Sequence, residues 1–290
     1  MDPTDRFRYF LEYLAARALF AAMGSLPECL GRPIGRTLGR WVGGAIRSRS
    51  RRAAENLRFA YPDADEDQIQ GWVQGMWENL GEAAWEFSRV PSLDADAYFR
   101  MVEVEGLDLL RAAYAEGKGV ILFASHLTNW EWTTLFVSFS RFPVAAIARR
   151  MKNPYVDDFL TRVRSRHGVT MFSHKNAVRE GLRWIKEGKV LGILVDQRIT
   201  AGGAQVPFFG RPAFTTTMPA LLAIRTGAAL LGVSAHREGN KIRVRVHPAV
   251  DLAPFHGDAV GVTVATTAQV ESWIREDPRR WLWMHGRWKL

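Results

Sequence analysis

The 290-residue chain is 47% apolar and 24% charged, which supplies enough material for a sizeable core. Its formal net charge of +9 calls for an acidic partner, whether nucleic acid, anionic lipid or a phosphorylated substrate, and does not choose among them. The single cysteine, Cys29, excludes an internal disulfide, and no internal repeat or low-complexity tract is present.

The first residues carry Asp2 and Asp5, and Glu12 and Arg17 interrupt the apolar stretch that follows, so no secretory signal is expected. A membrane-spanning helix needs ~20 mainly apolar residues. The longest uncharged piece of the N-terminal stretch, Ala18 to Pro27, is half that. From Phe7 to Met23 the apolar residues Phe7, Phe10, Leu11, Leu14, Ala18 and Ala21 keep helical spacing, which predicts an amphipathic helix. Such a helix either docks on the protein or lies in a lipid interface. Four arginines within Arg47 to Arg52 form a solvated face or a patch for anionic headgroups. Residues 1–60 are expected to be a region of amphipathic, membrane-associating helices and residues 61–290 one α/β domain.

Asp63 to Asp67 reads as a loop capping a helix over Gln68 to Ser88, whose Ile69, Trp72, Val73, Met76, Leu80, Ala83 and Phe87 recur at three and four. Val102 to Glu105, a helix to about Glu116, and a strand after Gly119 follow. Val144 to Ala148 is expected as a strand ending at Arg149 and Arg150, Asn153 to His167 as a helix, and Val190 to Val195 as a strand ending at Asp196 and Gln197. Pro212 to Ala235 holds Arg225, prolines and glycines, so helix, turn and buried strand explain it better than a span. Lys241 to Val246 alternates Ile242, Val244 and Val246 with Arg243 and Arg245, as a half-exposed edge strand does. Strands alternating with helices predict an α/β fold with a single, largely parallel central sheet flanked by helices.

The most informative stretch is Gly119 to Trp132, in which an apolar run delivers His126 and, five positions on, Glu131. A short run of Val, Ile, Leu and Phe reads as a strand buried on both faces. His126 then sits at its carboxyl end, where open α/β sheets gather catalytic groups. On one continuous helix His126 and Glu131 would lie about 140° apart, so they meet only if the chain bends between them. Asn129 is a candidate cap for that bend. A carboxylate on one imidazole nitrogen leaves the other free to take a proton. No Ser, Cys or Thr nucleophile elbow accompanies the pair, which points to a base activating a substrate hydroxyl rather than to covalent hydrolysis. A satisfied structural histidine is the competing reading.

Several further blocks stand in order along the chain: Arg52 to Pro62, Arg150 to Tyr155, Asp196-Gln197, Val206-Pro-Phe-Phe-Gly-Arg-Pro212 and Trp281-Leu-Trp-Met-His-Gly-Arg-Trp288. Together with His126-x4-Glu131 they resemble the lipid A late acyltransferases of the bacterial lysophospholipid acyltransferase superfamily, over nearly the whole chain. The resemblance implies a glycerol-phosphate-acyltransferase-like fold and a His126/Glu131 dyad. It also implies an acyl carrier protein thioester as donor, a lipid A precursor as acceptor, and the cytoplasmic face of the inner membrane, with the protein peripheral or held by a short N-terminal anchor. Another acceptor, such as a lysophospholipid, an ornithine lipid or a mannosylated lipid, is the alternative.

Arg149 and Arg164 are the candidates for holding phosphate, and the resemblance implies that an arginine after the His motif contacts phosphate or helps polarise the acyl carbonyl. Asp196 and Gln197 are candidate substrate contacts at a strand end. Phe208 and Phe209 cannot both point inward on an extended segment, which makes them a candidate wall for acyl chains. The tryptophans near the C-terminus, beside Arg and His, suit either a membrane interface or ordinary core packing. The other histidines show no metal-ligand spacing, and neither a metal nor a cofactor beyond the thioester co-substrate is expected. A nucleic-acid-binding protein or a non-catalytic membrane-surface module are the rivals from other classes. The chain lacks a recognisable nucleic-acid reading motif, so no nucleic-acid partner is expected.

Overall fold

The computed structural model describes residues 2–199 and 201–288. The chain opens with four helices, α1 (Pro3–Gly24), α2 (Glu28–Ala45), α3 (Arg47–Ala60) and α4 (Glu66–Arg89). Then come α5 (Ala95–Met101), β1 (Val102–Glu105), α6 (Leu107–Ala115), β2 (Val120–Ala124), α7 (Trp132–Phe139) and β3 (Val144–Ala148). Next are α8 (Pro154–Ser165), β4 (Thr170–Ser173), α9 (Ala177–Lys186), β5 (Val190–Leu194) and a hairpin of β6 (Gly203–Phe208) and β7 (Arg211–Thr216). The chain closes with α10 (Met218–Thr226), β8 (Ala229–Glu238), β9 (Lys241–Ala249) and α11 (Ala259–Glu276).

Seven strands form one sheet in the order β1-β9-β8-β2-β5-β3-β4, parallel throughout except for the β8–β9 pair. The α/β architecture with a largely parallel sheet is therefore present. Every residue of β2 is buried, as its unbroken apolar run requires when helices cover both faces. One expectation is corrected: β9 is not an edge strand, because β1 lies outside it. Its alternating arginines are matched across the ladder rather than turned to water alone. Glu103 stands opposite Arg243 and Glu105 opposite Arg245, and Arg245 Nε donates to Glu105 at 2.9 Å.

Helix α4 begins with a capping box in which the Asp65 carboxylate accepts from the Gln68 N–H and the Gln68 side chain accepts from the Asp65 N–H. Its apolar stripe, Ile69, Val73, Met76 and Trp77, is buried. Helix α2 packs on α4 through Gly31, Gly35, Gly39 and Gly43, one residue per turn. A Cβ at Gly39 would lie 2.0 Å from the carbonyl oxygen of Trp77, so only glycine allows this approach. The opposite face of α2 leaves Leu30, Ile34, Leu38 and Trp41 exposed, with Trp41 at 77%. Helix α1 docks on α8 and α4, where Phe20 meets Phe159 and Phe87 edge to face. No described helix is long and apolar enough to cross a membrane.

The C-terminal tryptophans resolve to core. Trp281 and Trp283 are 1% and 0% exposed and pack edge to face against Phe208, Phe209 and Tyr61. This segment passes the carboxyl edge of the sheet, where Leu127 bridges Trp281.

Candidate active site

Strand β2 pairs with β5 in parallel, Phe123 opposite Ile193 and Ala124 opposite Leu194. Two residues beyond, the chains reach His126 and Asp196 side by side. The His126 Nδ1–H donates to Asp196 Oδ1 at 2.8 Å, and the His126 backbone N–H donates to Oδ2 at 2.8 Å. Trp281 Nε1–H adds a third bond to Oδ2 at 2.6 Å. The Asp196 side chain is 1% exposed and that of His126 is 15% exposed, so the ring reaches a surface while its partner does not. Burial alone would raise the Asp196 pKa, but the His126 charge and the three N–H donors overcome it and hold the carboxyl down at about 2. With Nδ1–H fixed on an ionised carboxylate, Nε2 carries the free lone pair. The Gln197 side-chain amide lies 3.3 Å from that nitrogen.

Glu131 does not make the contact expected of it. The chain does bend after His126, with Thr128 in the left-handed region at φ 52°. Asn129 Oδ1 accepts from the Glu131 N–H at 3.3 Å, in the capping manner anticipated for it, although Glu131 itself is the residue that precedes α7. The turn sends the Glu131 carboxylate towards α8, where Arg164 Nε donates to both its oxygens at 3.1 Å and Nη2 to Oε1 at 2.6 Å. A guanidinium fork outcompetes a neutral imidazole for a carboxylate within its reach. The imidazole is served by Asp196 instead, so Asp196, expected on the substrate, is the histidine's partner.

Arg164 is likewise committed rather than free for phosphate. It is half-buried, lies over the Phe87 ring and forks onto Glu131 through Nε and Nη2. Arg149, by contrast, is exposed and makes no ion pair among the described residues. It follows β3, the neighbour of β5, and so stands on the same sheet edge as Asp196 and Gln197. Phe208 and Phe209 are not an exposed pair: they are 0% and 6% exposed. Phe209 has φ 50°, which breaks the strand alternation and turns both rings inward against Trp281, Trp283 and Trp288. The described residues contain no group of His, Cys, Asp or Glu suited to a metal ion.

Two residues near the pair had been passed over. His285 lies close enough to feel the charges of Asp196 and His126, and burial lowers its pKa to about 4. Arg287 is 1% exposed and donates to the Phe214 carbonyl and the Thr215 hydroxyl. Both sit in the Trp281–Trp288 block, whose clustering of Trp, His and Arg was the available signal.

A family model described as bacterial lipid A biosynthesis acyltransferase matches residues 4–290. The chain belongs to that family. As a member of the lipid A biosynthesis acyltransferases it is an enzyme that transfers acyl groups. It is 24% identical over 252 residues to a lipid A biosynthesis acyltransferase of Haemophilus influenzae, covering 85% of this chain and 78% of that one. It is 24% identical over 286 residues to the lipid A biosynthesis lauroyltransferase of Escherichia coli K12, covering 97% and 92%. It is also 27% identical over 217 residues to a phosphatidylinositol mannoside acyltransferase of Mycobacterium tuberculosis, covering 73% and 68%.

Proposed function

We propose that this acyltransferase moves a fatty acyl chain from an acyl carrier protein thioester to a hydroxyl of a lipid A precursor, with His126 as general base. The observation that carries the reading is the Nδ1–H bond to a buried, ionised Asp196 at the mouth of the sheet edge. His126 Nε2 takes the acceptor's O–H proton as the oxygen bonds to the thioester carbonyl carbon. The tetrahedral intermediate then collapses, the C–S bond breaks, and the thiolate leaves with the proton held on Nε2. Asp196 stabilises the imidazolium between these steps, while the Gln197 amide is a donor available to the oxyanion. Glu131 and Arg164 act together by fixing the loop that carries His126. Arg149, free on the same edge, is the candidate contact for a phosphate of the glycolipid or of the carrier's phosphopantetheine arm.

The membrane surface as working place is supported by the distribution of exposed apolar side chains. Phe7, Leu11, Leu19, Leu30, Leu38 and Trp41 all stand on the exposed faces of α1 and α2. In-plane attachment to the cytoplasmic face of the inner membrane suits helices of this length and charge.

His126→Ala is expected to lower turnover by at least ~10²-fold with the fold intact. Full activity of a folded variant would remove His126 from the mechanism. The acceptor is tested separately, by incubating labelled acyl carrier protein with purified lipids. Phosphatidylinositol mannosides belong among them, since one relative of this chain bears that name. Label in the mannoside and none in the lipid A precursor would replace the acceptor while leaving the chemistry.

A further inference from the structure

The loop between His126 and Glu131 has an unfavourable backbone. Thr128 is β-branched and sits at φ 52°, a conformation such residues adopt only when their surroundings enforce it. The surroundings come from α4. Asn79, 5% exposed, donates from Nδ2 to the Thr128 carbonyl at 3.1 Å, while the Thr128 N–H donates to the Arg280 carbonyl at 2.9 Å. One turn pair further along α4, Glu86 Oε2 accepts from Asn129 Nδ2 at 2.8 Å and from Trp132 Nε1 at 3.1 Å. The other oxygen of Glu86 faces Arg237 at 2.6 Å and Arg32 at 3.3 Å. Glu86 is 3% exposed. A buried carboxylate is thus shared between two arginines on one side and two N–H donors of the site loop on the other.

We propose that Glu86 is a positioning residue of the acyl transfer, holding the His126–Trp132 loop in its reactive shape through Asn129 and Trp132. The alternative, charge balance for Arg32 and Arg237, accounts for Oε1 and leaves the two bonds of Oε2 without a purpose. Through Asn129, the hold extends to Glu131, whose N–H the same side chain caps. It therefore governs the Glu131 end of the His-x4-Glu segment from a helix outside that motif. The inference rests on His126 being the base.

The test exploits the polarity of one hydrogen bond. In Glu86→Gln the arginines retain the amide oxygen, and the new N–H group points at Asn129 Nδ2, donor against donor. In Asn129→Asp two carboxylates face each other. In the double variant Glu86→Gln/Asn129→Asp the bond to residue 129 is restored with donor and acceptor exchanged and the net charge is that of the wild type, while the Trp132 indole N–H is left facing the amide nitrogen. Turnover and thioester KM are measured below the unfolding temperature of every variant, checked by circular dichroism, with His126→Ala alongside. Each single variant is expected to lose at least about tenfold in kcat with KM within about twofold, as a small misplacement of a catalytic loop does. The double variant is expected to exceed both singles by at least about threefold in kcat and to stay below wild type, because Trp132 Nε1–H still faces an amide N–H. Asn129→Asp alone leaves Glu86 charged beside Arg32 and Arg237, so its loss is not one of charge balance. Wild-type kcat in Glu86→Gln beside an inactive His126→Ala would overturn the proposal, as would a double variant no better than the singles. An active His126→Ala would instead overturn the reading of the site, and this inference with it.

Discussion

The Asp196 carboxylate accepts three N–H bonds, and replacing it by an amide separates its two tasks. Oδ2 takes the His126 backbone N–H and the Trp281 indole N–H, and Oδ1 takes the His126 ring. In Asp196→Asn the amide oxygen stays with the two fixed donors, because neither can change its polarity. The amide nitrogen then faces His126 Nδ1, which must accept, so the ring proton moves to Nε2 and the lone pair leaves the reactive side. Losing a positioned base in this way costs about 10²–10⁴ in kcat. The loss in stability is that of one charge-assisted hydrogen bond, about 1.5–3 kcal/mol. Asp196→Ala is the poorer test, since it strands two buried donors at about 1–3 kcal/mol each and confounds folding with catalysis. Thiol release from the thioester reports turnover, and the ¹⁵N shifts of the His126 ring report the tautomer. A folded Asp196→Asn variant working within about threefold of wild type, with the proton still on Nδ1, would refute the argument.

Other expectations follow from the same contacts. Arg164→Ala strands the Glu131 carboxylate, 15% exposed, and should cost about 2–4 kcal/mol in denaturant unfolding, somewhat below the range for a fully buried pair. Arg164→Lys keeps the charge, loses the fork, and should fall between the two. His236, His247 and His285 are each lowered by burial from 6.5 to about 4, so between those values the unfolded chain binds protons that the folded chain does not. Stability should therefore be flat above about pH 6.5 and decline as pH falls towards 4, and Tm against pH should show a shallower decline in His236→Gln/His247→Gln. Gly39→Ala should lower Tm, because the clash 2.0 Å from the Trp77 carbonyl oxygen outweighs the roughly 1 kcal/mol gained in helix propensity. Gly44→Ala, with nothing within 4 Å, should keep or raise it.

The helices and strands that were legible in the sequence are those with an undiluted pattern. The stripe of α4 and the unbroken run of β2 needed no tertiary help, since burial on one face or on both writes a different period into each. Within the helical region expected over residues 1–60, the bounds of α2 are not legible because its core face is glycine: Gly31, Gly35, Gly39 and Gly43 carry no apolar signal, and the apolar residues lie on the exposed side. The edge position of β9 was misread because ion pairing with β1 mimics solvent exposure. Phe208 and Phe209 were misplaced because a single left-handed residue, Phe209, reverses the direction of everything read by alternation.

The exchange of carboxylates at His126 follows from how chains meet at a sheet edge. A motif spacing fixes distance along the backbone, whereas two parallel strands in register bring together residues at equal offset from a paired position, whatever their separation in sequence. Ala124 and Leu194 are paired, and Val195 N–H donates to the Ala124 carbonyl at 3.0 Å, so the two chains still run side by side where the strands end. His126 and Asp196 each lie two positions past that pair and on the same side of the pleat. Glu131, although only five residues from His126, has to cross a left-handed turn and start a helix, and each of these turns its side chain towards α8. The two carboxylates thereby divide the work. The one across the ladder is bound to the His126 ring, and the one along the chain is locked to Arg164. Knowing that β2 and β5 are neighbours would have assigned Asp196 to His126 from the sequence, because both strand ends had already been located.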